Sequence, residues 1–205
     1  MPDLARMIQN RDEIPEESLR FAETRHRVPR ETLKAWSVSW DAEDGTFVFP
    51  RWAPDGLLEV VTKRAYREEL MPNGCHWMDL PDCVPDPKRS LYGSHNVDLT
   101  SRRAIVAEGY WDTLYLRTLG YWNALGAISG AISPFQAAWL ADRCDCVTWI
   151  PDGDTSGRHS LFSRGRHMLA IPNLDRIALP RDKDLDDLEP DMVFRLLGLP
   201  PFGIR

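Results

Sequence analysis

The chain has 205 residues, 43% hydrophobic and 27% charged, and its 25 Lys and Arg against 31 Asp and Glu give a formal net charge of −6. Eight Trp and seven Phe supply the bulky apolar area of a folded core, which excludes a disordered chain, and the length suits one domain or two small ones. No apolar run approaches the ~20 residues of a membrane span, and the N-terminal Met-Pro-Asp-Leu-Ala-Arg lacks a signal-peptide core, so the expectation is a cytoplasmic protein with no membrane partner.

Residues 16 to 25 read as a polar helix, and Pro29 opens a second short helix, Arg30 to Ala35. The alternating Trp36-Ser-Val-Ser-Trp40 fits a half-buried strand. An acidic turn, Asp41 to Gly45, leads into a strand Thr46 to Phe49 ended by Pro50, and Pro54-Asp-Gly56 turns the chain into the strand Leu57 to Thr62. Residues 71 to 99, rich in Pro, Asp, Gly and Asn, read as long loops. Trp52 and Trp77 fall in expected loops and are candidates for base stacking, whereas Trp111, Trp122, Trp139 and Trp149 sit at core-like positions. The four cysteines, Cys75, Cys83, Cys144 and Cys146, show no paired spacing for zinc, and Cys144 and Cys146 read as buried thiols.

From residue 103 the pattern changes. The apolar run Ala104 to Ala107 ends at Glu108-Gly109 and is followed by an amphipathic helix, Trp111 to Leu119, that stops at Gly120. Trp122 to Ile128 is apolar, and Pro134 starts another helix. The buried strand Val147 to Ile150 ends at Asp152-Gly-Asp154, a helix follows from about Ser156 to Leu169, Arg176 to Leu179 gives a further strand, and a final helix spans Asp186 to Leu197. Strands alternating with helices imply βα units and a parallel sheet. The expected organisation is an α+β subdomain over 1–100, an α/β domain over 101–190 and a helix end and tail over 191–205.

In open α/β sheets ligands gather at the carboxyl ends of strands. Glu108 follows one expected strand, and Asp152 and Asp154 follow another. If those strands are neighbours, three carboxylates converge at one edge, a donor set of hard oxygens suited to Mg²⁺. A single Asp-Gly-Asp is a common turn. Two acidic Gly motifs, each ending an apolar strand and opening a helix, point to a metal site. The helix after Asp154 carries Arg158, His159, Arg164, Arg166 and His167, which would supply phosphate affinity despite the acidic total.

These segments carry a resemblance. Ile105-Val-Ala-Glu-Gly-Tyr-Trp-Asp112 resembles the "VEGyfD" segment of the Toprim domain in bacterial DnaG-type primases. Val147-Thr-Trp-Ile-Pro-Asp-Gly-Asp-Thr-Ser-Gly-Arg158 is similar to that family's "fDgDxAGr" segment, and Lys183-Asp-Leu-Asp-Asp-Leu188 to its "KDPDel" segment, with Leu185 where proline is usual. Toprim domains also occur in topoisomerases, recombination proteins and some nucleases. Upstream, Phe49-Pro50, Asp55-Gly56 and Lys63-Arg64 resemble the "FPi.d..G…gR" stretch of the primase core, Lys88 to Gly93 its "KG..LYgl" stretch, and Arg25 to Lys34 its "kRGis.etl" helix.

The resemblance implies a Toprim fold, a parallel sheet flanked by helices, preceded by a small α+β subdomain. It implies a nucleotidyltransferase that makes short RNA primers on single-stranded DNA from ribonucleoside triphosphates, with Mg²⁺ or Mn²⁺ as cofactor. Glu108, Asp152 and Asp154 would be the central, catalytic metal ligands, with Asp112, Asp184 and Asp186 in the same cluster. Arg64, Lys88, Arg89, Arg158 and Lys183 would face nucleic-acid or nucleotide phosphates. The glycine segment around Gly130 is about a residue shorter than the family's, and the chain carries no zinc ribbon or helicase domain. The expected setting is a compact phage or plasmid primase, with a replicative helicase and a zinc-ribbon protein in trans. The competing readings are a Toprim nuclease using the same carboxylates, and a non-catalytic replisome-binding module.

Overall fold

The computed structural model describes residues 14–65, 77–79, 90–128, 130–162 and 166–198. The chain divides into two units, Met1–Pro87 and Lys88–Arg205. The sequence puts this border at residue 100. The stretch from Ser90 onward instead joins the second unit through backbone bonds, Tyr92 N–H to the Gly126 carbonyl at 2.8 Å and Asp98 N–H to that of Trp122 at 3.0 Å.

The first unit opens with helices α1 (Glu16–His26) and α2 (Arg30–Ala35). Glu16 and Glu17 occupy the first turn of α1, and Arg25 and His26 the last, which suits the helix dipole at both ends. Among the described residues a four-stranded antiparallel sheet follows in the order β1 (Ser39–Asp41), β2 (Thr46–Trp52), β3 (Leu58–Ala65), β4 (Trp77–Asp79). Phe47 and Phe49 are fully buried on one face of β2, with Trp40 edge-on to Phe47, while Val48 and Val61 pack together on the other.

Three expectations change here. The first strand begins at Ser39, not Trp36, because Ser37 takes a left-handed φ of 58°. β2 runs through Pro50 to Trp52. β1 reaches only as far as Val48, so Pro50 lies past its end and its missing N–H breaks no ladder bond on that side. Trp52 therefore ends a strand, packed against Val48 and Val61, and Trp77 begins one, so neither lies in a loop.

The second unit is built on a four-stranded parallel sheet in the order β6-β5-β7-β8, with β5 Arg103–Ala107, β6 Ala124–Gly126, β7 Cys146–Ile150 and β8 Leu174–Arg176. Helix α3 (Tyr110–Thr118) returns the chain to β6 on one side of β5, and α4 (Pro134–Arg143) carries it to β7 on the other. One face of the sheet presents Ala104, Val106, Leu125, Val147 and Trp149 to Ala137 and Leu140 of α4 and to Met168 and Ile171. Trp149 is fully buried there, as its core-like position implies.

β6, three residues long, lies inside the apolar run Trp122 to Ile128. Ser133 and Gln136 form a reciprocal capping box at the start of α4, and the buried Gln136 amide also donates to the carbonyls of Ala127 and Ser90 at 2.9 and 3.3 Å. Beyond β7, α5 (Thr155–Phe162) is shorter than expected and is followed by a 3₁₀ turn, Arg166–Ala170. The last helix, α6 (Pro190–Leu197), starts only at Pro190, because Asp184 to Asp187 make a separate 3₁₀ turn. Cys144 is buried and Cys146 half-buried, both as free thiols. Cys75, Cys83, Lys88, Arg89 and Arg164 lie outside the described residues.

Candidate active site

The strand order reverses at β5: the chain leaves it toward β6 and later returns on its other flank as β7. In such sheets the crevice at the carboxyl ends of the two diverging strands is where ligands bind. β5 ends at Ala107, in register with Ile150 at the end of β7. The residues that follow are therefore neighbours: Glu108 Oε2 accepts a hydrogen bond from the Asp152 N–H at 3.0 Å. Of the three carboxylates expected to converge, this bond brings Glu108 to the Asp152 backbone.

The backbone around this point is tightly packed. Gly153 donates its N–H to the Lys183 carbonyl at 2.8 Å and accepts from the Asp182 N–H at 3.1 Å, so the Asp-Gly-Asp turn is laced to the segment 180–184. A Cβ on Gly153 would lie 2.1 Å from the Pro180 oxygen, and one on Gly157 would lie 2.1 Å from that of Asp152. Asp154 Oδ1 accepts the Gly157 N–H at 2.6 Å, capping the first turn of α5.

Asp112 has a different place. It lies buried in the first turn of α3, and its Oδ1 accepts from the backbone N–H groups of Leu185 and Asp186 at 3.0 and 3.3 Å. It thereby holds the 3₁₀ turn 185–187 against α3. The Tyr115 hydroxyl donates to the Leu188 carbonyl at 2.7 Å and fastens the end of the same turn. Carboxylate oxygens of Asp184, Asp186 and Asp187 all lie within 4.8 Å of one another. Among the described residues, Glu108, Asp152 and Asp154 do not close into a second group of that tightness.

The electrostatics join the two sets. Burial pushes the Glu108 carboxyl above its usual range, and the charges of Asp154 and Asp184 add to the rise against the Asp152 N–H. Burial also raises Asp152, helped by Asp112, Glu108, Asp184 and Asp154, and it raises Asp112 well up, helped by Asp186 and Asp184. Carboxylates that repel one another in a half-buried crevice hold a negative potential that a cation relieves. The donors are hard carboxylate oxygens, and this set fits Mg²⁺ or Mn²⁺.

Asp187 stands outside the expected set. Its signal was in the spacing: a 3₁₀ turn has three residues per turn, so Asp184 and Asp187 stack on one side. Of the expected basic residues, Arg158 is exposed on α5 with Nε donating to the Gly153 carbonyl at 3.2 Å, Lys183 is exposed beside the cluster, and Arg64 is half-buried on β3 of the first unit. His167 contacts the Ile132 carbonyl at 2.9 Å and so braces the fold.

No family model matches the chain. It is 31% identical over 120 residues to a DNA primase of Legionella pneumophila, covering 55% of this chain and 21% of that protein. It is 25% identical over 133 residues to a DNA primase of Helicobacter pylori, covering 60% of this chain and 23% of that protein. The chain thus spans about a fifth of the length of these curated relatives. In fold it is similar to the Aquifex aeolicus primase, zinc-binding and RNA polymerase domains (TM-score 0.76, 18% identity, 93% of this chain and 60% of that one). It is similar also to the RNA polymerase domain of Mycobacterium tuberculosis primase DnaG (TM-score 0.74, 15% identity, 98% and 85%). A DnaG primase catalytic domain bound to single-stranded DNA gives a TM-score of 0.67 at 18% identity, over 94% of this chain and 71% of that one. The chain is thus similar in sequence to bacterial DNA primases and has the fold of the DnaG primase catalytic core.

Proposed function

We propose that the chain is a DNA primase catalytic core that joins ribonucleoside triphosphates into short primers on a single-stranded DNA template, dependent on Mg²⁺ or Mn²⁺. The observation that carries this reading is the acidic crevice at the reversal of strand order. There Glu108 and Asp152 meet through a 3.0 Å hydrogen bond within electrostatic reach of Asp184. The primase relatives in sequence, and a solved neighbour bound to single-stranded DNA, support it.

Phosphoryl transfer asks a protein mainly to position reactants and to neutralise charge. Glu108, Asp152, Asp154, Asp184, Asp186 and Asp187 would hold the metal ions, which when bound polarise phosphate oxygens and offset charge on the attacking and leaving oxygens. Asp112 acts differently. With Oδ1 engaged by two backbone N–H groups, it positions the turn that presents Asp184 and Asp186. Arg158 and Lys183, flanking the Asp-Gly-Asp loop, would meet phosphates, and the phosphate-facing role of Arg64 is carried over from the resemblance. A replicative helicase and a zinc-ribbon protein, in a phage or plasmid setting, are the further partners carried over from the resemblance.

A labelled-ribonucleotide assay on a single-stranded template tests this directly. The expectation is extension products that need a divalent cation. Cleavage of the template without extension would favour the nuclease reading, and binding without either would favour a non-catalytic module.

A further inference from the structure

A cavity of about 190 Å³ lies at the other end of the parallel sheet, away from the acids. It is bordered by Arg103 and Ile105 of β5, Thr148 of β7, Tyr121 and Asn123 just before β6, and Leu197 at the end of α6. Ala104, Val106, Val147 and Trp149 pack toward α4, so Arg103, Ile105 and Thr148, which alternate with them, face the opposite side of the sheet. The acids follow Ala107 and Ile150, at the carboxyl ends of the same two strands. From Arg103 to Ala107 the strand covers about 13 Å, at ~3.3 Å per residue.

Asn123 carries the clearest sign of a ligand. It is only 5% exposed, and its Nδ2 donates to the Arg103 carbonyl at 3.1 Å. That bond fixes which way the amide points, since a carbonyl accepts only from the nitrogen. Oδ1 is left buried with no hydrogen-bond partner. A buried acceptor without a donor is disfavoured, and a bound N–H removes that penalty. Ile105, Leu197 and the Tyr121 ring supply apolar walls. The Tyr121 hydroxyl donates to the Gly198 carbonyl and holds the end of α6 at the rim. Among the described residues that border the cavity, Arg103 alone is charged, and it is exposed. The neighbouring Arg102 is engaged by Asp145 at 2.9 Å.

The volume is below the roughly 300–1,000 Å³ of drug-sized pockets and close to the ~150 Å³ that accepts a benzene ring. One planar ring with an N–H donor fits such a space. The Arg103 guanidinium stands a side chain's length beyond the backbone carbonyl that Asn123 holds, and a ribose spans such a gap between a ring and a phosphate.

We propose that this cavity binds a pyrimidine nucleoside monophosphate. The ring lies against Ile105, Tyr121 and Leu197, its N–H donates to Asn123 Oδ1, and its phosphate pairs with Arg103 at the rim. A bare ring leaves Arg103 unmet, and bare phosphate leaves Asn123 unmet. The site is separate from the acidic crevice and independent of the primer-synthesis reading.

The test is calorimetric titration of the full chain with CMP, cytidine and inorganic phosphate, in EDTA so that no metal occupies the acids. The wild type should bind CMP, with cytidine and phosphate each about tenfold weaker or more. Arg103→Ala, at an exposed position, should weaken CMP about tenfold, as loss of one charge-assisted contact does, and leave cytidine unchanged. Thr148→Trp, which fills the cavity, should abolish binding of both. If that variant does not fold, Arg103→Ala and the ligand series still decide. A wild type that does not bind CMP overturns the proposal, as does phosphate bound as tightly as CMP. Binding weakened by Arg158→Ala and not by Arg103→Ala also overturns it, because the ligand then lies beside the Asp-Gly-Asp loop. A chain that binds CMP with the predicted Arg103 dependence yet makes no primers refutes the primer-synthesis reading and leaves this site standing.

Discussion

Asp112 shows how one buried carboxylate can order a candidate metal site through the backbone. Its Oδ1 takes two backbone N–H groups of the 185–187 turn, in a position where water does not replace it. Asp112→Asn keeps a carbonyl acceptor at that point and removes a charge that burial and Asp186 disfavour. Its stability should remain within about 1 kcal/mol of the wild type. Asp112→Ala strands both N–H groups and should lose about 2–4 kcal/mol by chemical denaturation. Equal losses in the two variants would show that the anchoring role is misassigned.

Gly153 makes a second case at this scale, since a Cβ there would meet backbone oxygens of Pro180 and Lys183 at 2.1 and 2.6 Å. Backbone atoms held by their own hydrogen bonds cannot swing away. Gly153→Ala should therefore cost about 3 kcal/mol, the upper part of the overpacking range, read as a fall in thermal midpoint. A variant as stable as the wild type would contradict the packing described.

At the scale of elements, the β1–β2 turn is closed by charge. Lys63 on β3 meets Asp41 Oδ2 at 2.6 Å and Asp44 Oδ2 at 2.5 Å, while Asp41 Oδ1 accepts the Glu43 and Asp44 N–H groups at 3.0 and 3.4 Å. Burial raises the Asp41 carboxyl, but the Lys63 bond and the backbone donors outweigh it, leaving its pKa below 3.8. Burial likewise lowers the Lys63 ammonium, yet the two carboxylates hold its pKa above 10.5. The depressed Asp41 contributes stability above the unfolded carboxyl value of about 3.9, lost as pH falls through its lower folded value. The raised Lys63 contributes below about 10.4, lost as pH rises through its higher folded value. Lys63→Met should cost about 1–3 kcal/mol at pH 7, the gap to wild type narrowing below pH ~4 and above pH ~10.5. A gap constant across that range would exclude the ionic origin.

Elements with strong local signals were legible: the two N-terminal helices, the apolar strands before Glu108 and Asp152, and the helix opened by Pro134. The three-residue strands β4 and β6 were not. Neither is flanked by an alternating run such as the one that announces β1, so pairing with longer neighbours defines them. The 3₁₀ turn Leu185–Asp187 overlaps the start of the helix expected from Asp186, because its polar–apolar pattern continues into α6.

For the whole molecule, the acidic motifs could share one edge only if their strands were neighbours, and the sheet order makes them so. The reversal at β5, which makes the crevice, is a property of topology that no local pattern encodes. The sequence likewise named the acids but not their division of labour: Asp112 anchors a turn, Asp154 caps a helix, and Asp187 joins Asp184 and Asp186. Hydrogen-bond partners 73 and 74 residues apart decide the role of Asp112.

The central claim is that the charge of this crevice drives metal-dependent primer synthesis, and Glu108→Gln isolates it. Glutamine keeps a carbonyl to accept the Asp152 N–H, so the thermal midpoint should match the wild type while one ligand charge is gone. Primer synthesis on single-stranded DNA with ribonucleotides and Mg²⁺ should then fall on the order of 10²-fold or more, the loss of several kcal/mol of transition-state stabilisation. A folded Glu108→Gln chain that makes primers at the wild-type rate would contradict the account.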